Sequence, residues 1–171
     1  MATRKLKLKI NLEELFGIPV ENRALREAIG GRLIEKIVAR TQGGTDVNGR
    51  SFKKYSKSYQ DSLAFKVHGK GGNVDLTLSG DMLASMQVGD SSPERLTIEF
   101  PDETENAKAF NHNTGDTLPK REFFGLTEEE KQDVKEEFQE DVIDFAQFIE
   151  TKDEAVTLRI LDRLLSENEA S

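Results

Sequence analysis

Imidazole and thiol chemistry has few candidates in this sequence: among 171 residues there are two histidines and no cysteine. Hydrolytic chemistry needs a nucleophile, a base and a group that orients the base. His68 lies in a stretch rich in lysine and glycine, with no carboxylate close to it in sequence. His112 has Asp116 four residues on, but Gly115 stands between them and argues against a helix that would bring the two together. Asn111-His112-Asn113 is therefore read as satisfying a turn or a contact between subunits. Two histidines without a thiol make no dedicated zinc site. The acidic runs Asp102-Glu103, Glu128-Glu129-Glu130 and Glu136-Glu137 fall at helix starts or on a helix surface, where carboxylates suit the positive end of the helix dipole or meet solvent. A calcium loop of the form Asp-x-Asp-x-Asp-Gly is absent, as is a Gly-x-x-x-x-Gly-Lys-Ser/Thr phosphate cradle. The reading is of a protein that is not an enzyme, with no catalytic residue, no metal and no cofactor.

Two segments instead carry the side chains of contact surfaces. Arg50 to Tyr59 is a basic loop in which lysines alternate with aromatics. Lysines reach phosphates and aromatic rings stack on bases, so this loop is weighed as a nucleic-acid site. The acidic character of the whole chain, with a pI near 5.0, and the absence of a nucleic-acid-binding motif weigh against it. The second segment is Pro119-Lys120-Arg121-Glu122-Phe123-Phe124-Gly125-Leu126-Thr127. It places a stiff proline, a lone arginine and two adjacent phenylalanines just before a helix start. Thr127 and Glu130 have capping-box spacing, which predicts a helix from about Thr127. Two readings stay open for the phenylalanines. They staple the start of the helix to the local core, or they join Arg121 in a contact between subunits, where Arg and Phe are enriched. The residues expected at subunit or neighbour contacts are Phe52, Lys53, Lys54, Tyr55, Tyr59, Arg121, Phe123 and Phe124.

Three further segments precede Pro119 in a fixed order: Gly49-Arg50-Ser51-Phe52-Lys53-Lys54-Tyr55-Ser56, Leu76 to Met86, and Ala107 to Gly115. The ordered set, ending in Pro-x-Arg-x-Phe-Phe-Gly-Leu, resembles the tailed-phage virion morphogenesis family, the Mu gpG-like tail-completion proteins. The likeness covers roughly residues 43–130 and leaves the acidic segment after Glu150 without a counterpart. It implies a non-enzymatic virion part at the neck or tail top, made in the host bacterial cytoplasm. There it would complete or terminate the tail and join it to the head as a homo-oligomeric ring, most plausibly a hexamer. The implied partners are the chain itself, a connector or head-completion protein and the tail-tube protein, with DNA passing through the lumen without sequence recognition. The rival reading is a cytoplasmic nucleic-acid-associated protein that uses the basic N-terminal half.

Composition fits either reading. Hydrophobic residues make up 36% and charged residues 33%, a thin core under a large polar surface of the kind often completed by neighbours in an assembly. Residues 1–72 hold 15 Lys and Arg against 7 Asp and Glu, whereas residues 73–171 hold 9 against 25. A chain divided in this way can pair basic surface with acidic surface on another copy. The lack of cysteine fits a reducing cytoplasm. No apolar run approaches the roughly 18 residues of a membrane span, and the alternating N-terminus lacks the apolar segment of a signal peptide.

The elements that must position these side chains follow from periodicity. Leu6, Leu8 and Ile10 alternate with lysines as on one strand. Asn11 to Phe16 forms a turn of helix before Gly17 and Pro19. Leu25, Ala28, Ile29, Leu33, Ile37 and Val38 predict a helix over about Glu21–Thr41, with Gly30-Gly31 marking a kink or a close backbone approach. A short helix is expected within Ser56–Phe65, and a glycine-rich tip at Gly69, Gly71 and Gly72. Asn73–Leu78 reads as a strand, Asp81–Ser85 as one helical turn, and Met86–Val88 and Arg95–Phe100 as strands joined by the turn formers Gly89 to Pro93. A short helix is expected over Glu103–Phe110. Helices follow from Thr127, with a stripe of Val134, Phe138, Val142, Phe145, Ala146 and Ile149, and from a second capping box at Thr151 and Glu154. The last helix carries Val156, Leu158, Ile160, Leu161, Leu164 and Leu165 and frays over Glu167–Ser171. The expected fold is α+β: a small antiparallel sheet packed on a long N-terminal helix (residues 1–126), then an acidic C-terminal helical hairpin or arm (residues 127–171).

Overall fold

The computed structural model describes residues 4–68, 73–77, 79–151 and 154–169. The glycine-rich tip, the capping contact between Thr151 and Glu154, and the side chains of Leu78, Val156 and Leu164 lie outside the described residues.

Alternation of apolar residues in Arg95–Glu99 (β3) makes it the central strand of a three-stranded antiparallel sheet, between Lys7–Asn11 (β1) and Gln87–Ser92 (β2). Leu8 pairs with Ile98 and Ile10 with Leu96, so like side chains meet across the ladder on one face. Asn11 then caps Leu12–Phe16 (α1) by accepting a hydrogen bond from the Glu14 amide at 3.0 Å. The long helix Arg23–Gln42 (α2) is capped in the same way by Asn22. Leu25, Ile29, Leu33 and Ile37, one every four residues, are fully buried against the sheet. Gly30 faces Val88 of β2 so closely that an added Cβ would lie 2.3 Å from a Val88 methyl, whereas Gly31 has open space. The glycine pair thus allows close packing of helix on strand.

Short helices Lys57–Gln60 (α3), Leu63–Val67 (α4) and Asp81–Ala84 (α5) follow, and Glu103–Thr114 (α6) comes after the sheet. Glu128–Thr151 (α7) begins with the predicted capping box: Thr127 Oγ1 accepts from the Glu130 amide at 3.1 Å, and Glu130 Oε2 accepts from the Thr127 amide at 2.8 Å. α7 runs antiparallel to α2 through a ladder of ion pairs, Arg40–Glu130, Lys36–Asp133 and Arg32–Glu137. Glu154–Glu169 (α8) folds back on α7, with Arg163 reaching Asp141 at 2.8 Å and Glu140 at 3.0 Å. The C-terminal part is therefore a helical hairpin, and the protein is α+β with a small antiparallel sheet and a long C-terminal helix.

Several expectations need correction. Residues 73–77 are not a strand. Val74 and Leu76 are buried from an irregular segment in which Leu76 takes φ 55°, so alternation here serves a loop that lies on the core. The turn formers Gly89 to Ser92 lie inside β2, where an irregularity between Val88 and Ser91 absorbs them, and the chain reverses at Pro93-Glu94. α6 continues through Asn111-His112-Asn113 to Thr114 and ends on Gly115 at φ 76°. Val134, Phe138 and Val142 of α7 belong to the same buried cluster as α2 and the sheet. Further along the predicted stripe, Phe145 and Ala146 are half-buried and Ile149 is exposed.

Candidate functional site

Gly115 turns the chain back on itself, leaving too little room for a Cβ, which would lie 2.7 Å from Lys120 Cβ. The segment after Pro119 is thereby laid along the end of α6 and stitched there. His112 O accepts from the Arg121 amide at 2.7 Å, and Asn113 Oδ1 accepts from the Phe124 amide at 2.9 Å. From the other side, Arg40 donates to Phe123 O at 3.1 Å and to Gly125 O at 2.7 Å. Phe123 and Phe124 both point inward and meet Phe100 with ring centroids 6.3 and 5.0 Å away.

Arg121 is only 3% exposed. Its guanidinium donates twice to Lys53 O, at 3.0 and 2.9 Å, lies 5.1 Å from the centroid of the Tyr55 ring, and approaches His112 Nδ1 at 3.3 Å. A guanidinium has no acceptor, so Nδ1 of His112 receives that hydrogen bond and the imidazole proton resides on Nε2. Burial first, and the adjacent Arg121 charge second, pull the His112 pKa down to about 4. Burial likewise lowers the Arg121 pKa. No carboxylate among the described residues pairs with Arg121; carbonyl oxygens, an aromatic face and a neutral imidazole take that place.

These side chains form one wall of a groove of about 410 Å³. Tyr55, Ser56 and Tyr59 line it from the basic loop and α3, Leu76 from the irregular segment, and Met82 from α5. Ser79 and Gly80, Lys108 and His112 of α6, and Leu118, Pro119 and Arg121 line the rest. Tyr55, Tyr59 and Phe65 pack on one another at 5.1 to 5.6 Å between centroids. Their rings are engaged within this trio rather than set out as a platform for bases.

The eight residues expected at contacts with other molecules therefore divide. Tyr55 and Tyr59 face the groove, and Lys53 and Lys54 are exposed beside it. Phe52, Phe123 and Phe124 are buried in the subunit's own core. The segment holding Phe123 and Phe124 has no regular helix or strand to send neighbouring side chains opposite ways, and both phenylalanines turn in. Arg121 is nearly covered as well and acts as the bracket holding the 53 and 121 segments together. Leu76, Met82, Lys108, His112, Leu118 and Pro119 were not singled out as site residues, although the motif segments containing most of them were visible in the sequence.

His112 makes a poor base, being held neutral beside a cation with no carboxylate among the described residues to orient it. Among the described residues no group of three His, Asp or Glu is placed to hold a metal ion, and no helix is long and apolar enough to cross a membrane. Comparison with family models, with curated proteins and with solved structures finds no match.

Proposed function

We propose that this chain is a structural virion protein of a tailed phage, a prophage or a phage-derived particle. It completes or terminates the tail at the neck and joins it to the head as a closed homo-oligomeric ring, six-fold like the tube it ends. One observation carries the reading. The four segments on which the resemblance rests, spread over residues 49–127, each contribute side chains to the same groove: Tyr55 and Ser56, Leu76 and Met82, Lys108 and His112, Pro119 and Arg121. An ordered set of separate motifs that meets on one surface is what a docking site needs. The chemistry of the groove supports the same role. It is apolar with cations at its wall, and its one imidazole is unsuited to proton transfer at neutral pH. Its partners are further copies of itself, a connector or head-completion protein and the tail-tube protein. DNA passes through the lumen.

Native mass spectrometry together with binding to tail-tube and connector proteins tests this reading. A closed oligomer that captures either partner is the expected result. A chain that stays monomeric at about 100 μM and binds neither refutes it. Micromolar or tighter DNA binding at about 150 mM salt, falling steeply with added salt, would instead favour the nucleic-acid reading.

A further inference from the structure

On α8, Ile160 is buried against α7, while Leu158, Leu161 and Leu165 are 62, 48 and 63% exposed. Steps of three and four residues place these leucines on one outward face. Asp162, four residues after Leu158 and three before Leu165, falls at the edge of that face, and no cation among the described residues pairs with it. Leucines left half or more exposed at helical spacing form a surface of the kind that lies in an apolar groove. The same chain carries such a groove, between Tyr55, Tyr59, Leu76, Met82, Leu118 and Arg121. Cations at and beside it lack carboxylates too: among the described residues no carboxylate pairs with Lys54 or Lys57, which flank Tyr55 and Ser56, or with Arg121, whose partners there are neutral groups. Lys108 and Lys120 are already held by Glu105 and Glu122. The two surfaces match in shape class, in apolar character and in unpaired charge of opposite sign.

We infer that the Leu158/Leu161/Leu165 face of α8, with Asp162 beside it, docks in the Tyr55–Arg121 groove of a second copy of this chain. The contact joins two different surfaces, so it is heterologous. Repeated around an axis it closes a ring, and it leaves one α8 and one groove free only if the chain of contacts stays open. This inference rests on the ring reading above and supplies its contact.

The absence of cysteine permits a direct test. Leu161→Cys and Leu118→Cys are made in separate chains with tags of different size, mixed, and oxidised under mild conditions. A mixed disulfide between the two chains is expected. Overturning results are disulfides only between two Leu161→Cys chains, which mean that α8 pairs with α8, or no disulfide at all. In parallel, the triple variant Leu158→Ser/Leu161→Ser/Leu165→Ser should weaken assembly roughly 100-fold while leaving the thermal melt of the subunit unchanged. If the wild-type chain is oligomeric and the triple variant assembles equally well, this contact is wrong and the ring reading stands. If the wild-type chain is monomeric, both fall.

Discussion

Protonating His112 should unlock the groove. Its imidazole has an ordinary pKa near 6.5, held in the fold at about 4 by burial and by the Arg121 guanidinium 3.3 Å away. The unfolded chain therefore binds a proton between these values that the folded chain refuses. Stability from this group is fully present above about pH 6.5 and is lost as pH falls towards 4. Below that both states are protonated and the effect is flat. The gap corresponds to about 3 kcal/mol, as an upper figure for a part-buried ring. Carboxylates titrate over part of the same range, so the informative quantity is a difference. The unfolding free energy of wild type minus that of His112→Gln is measured by urea denaturation at constant ionic strength from pH 7.5 to 3.5. Glutamine keeps an acceptor for Arg121 without titrating. The advantage of wild type should shrink by about 2 to 3 kcal/mol between pH 7 and 4. A difference that stays level, or grows on acidification, refutes the placement of a neutral imidazole against Arg121.

The adjacent glycines of α2 should behave oppositely. Gly31→Ala should stabilise by about 1 kcal/mol, because its site is open and helical. Gly30→Ala should destabilise by about 1 kcal/mol or more, because the new methyl meets Val88, and Val88→Ala should relieve much of that loss; denaturant midpoints decide. Glu130→Gln strips the counter-ion from Arg40 in a pair where both side chains are 11% exposed, and should cost about 2 kcal/mol in the same assay, less than a fully buried pair would. Phe123→Ala should cost about 3 to 5 kcal/mol, since the ring is completely covered and touches both Phe100 and Phe124; a loss below 1 kcal/mol would contradict its burial.

Features written in local spacing were legible in the sequence. The four-residue apolar step of α2 and the Thr127–Glu130 box appear where local rules put them, because each is settled within one or two turns of chain. Features settled by distant partners were not. Val74 and Leu76 alternate like a strand, yet they enter the core from an irregular segment. Asn111-His112-Asn113 looks like a turn, but His112 O and Asn113 Oδ1 are taken by the amides of Arg121 and Phe124, which pins the helix to its end. Arg121 was expected at a contact between subunits, where Arg and Phe are enriched, whereas in the fold it is only 3% exposed. Nothing in its neighbourhood announces that Lys53 O, 68 residues away in sequence, will accept two of its hydrogen bonds. The groove itself was half-visible: its segments stood out as motifs, while their convergence needed the fold.

If this chain is, as we propose, built into a virion at the junction of head and tail, its place in the particle can be seen directly. Tailed particles produced from the genome that encodes the chain, with the chain carrying an affinity tag, can be labelled with gold and imaged by electron microscopy. A single focus of label at the neck of each particle is the predicted result. Particles that assemble and infect normally while carrying no label, with the tagged chain left in the soluble cell fraction, would contradict it.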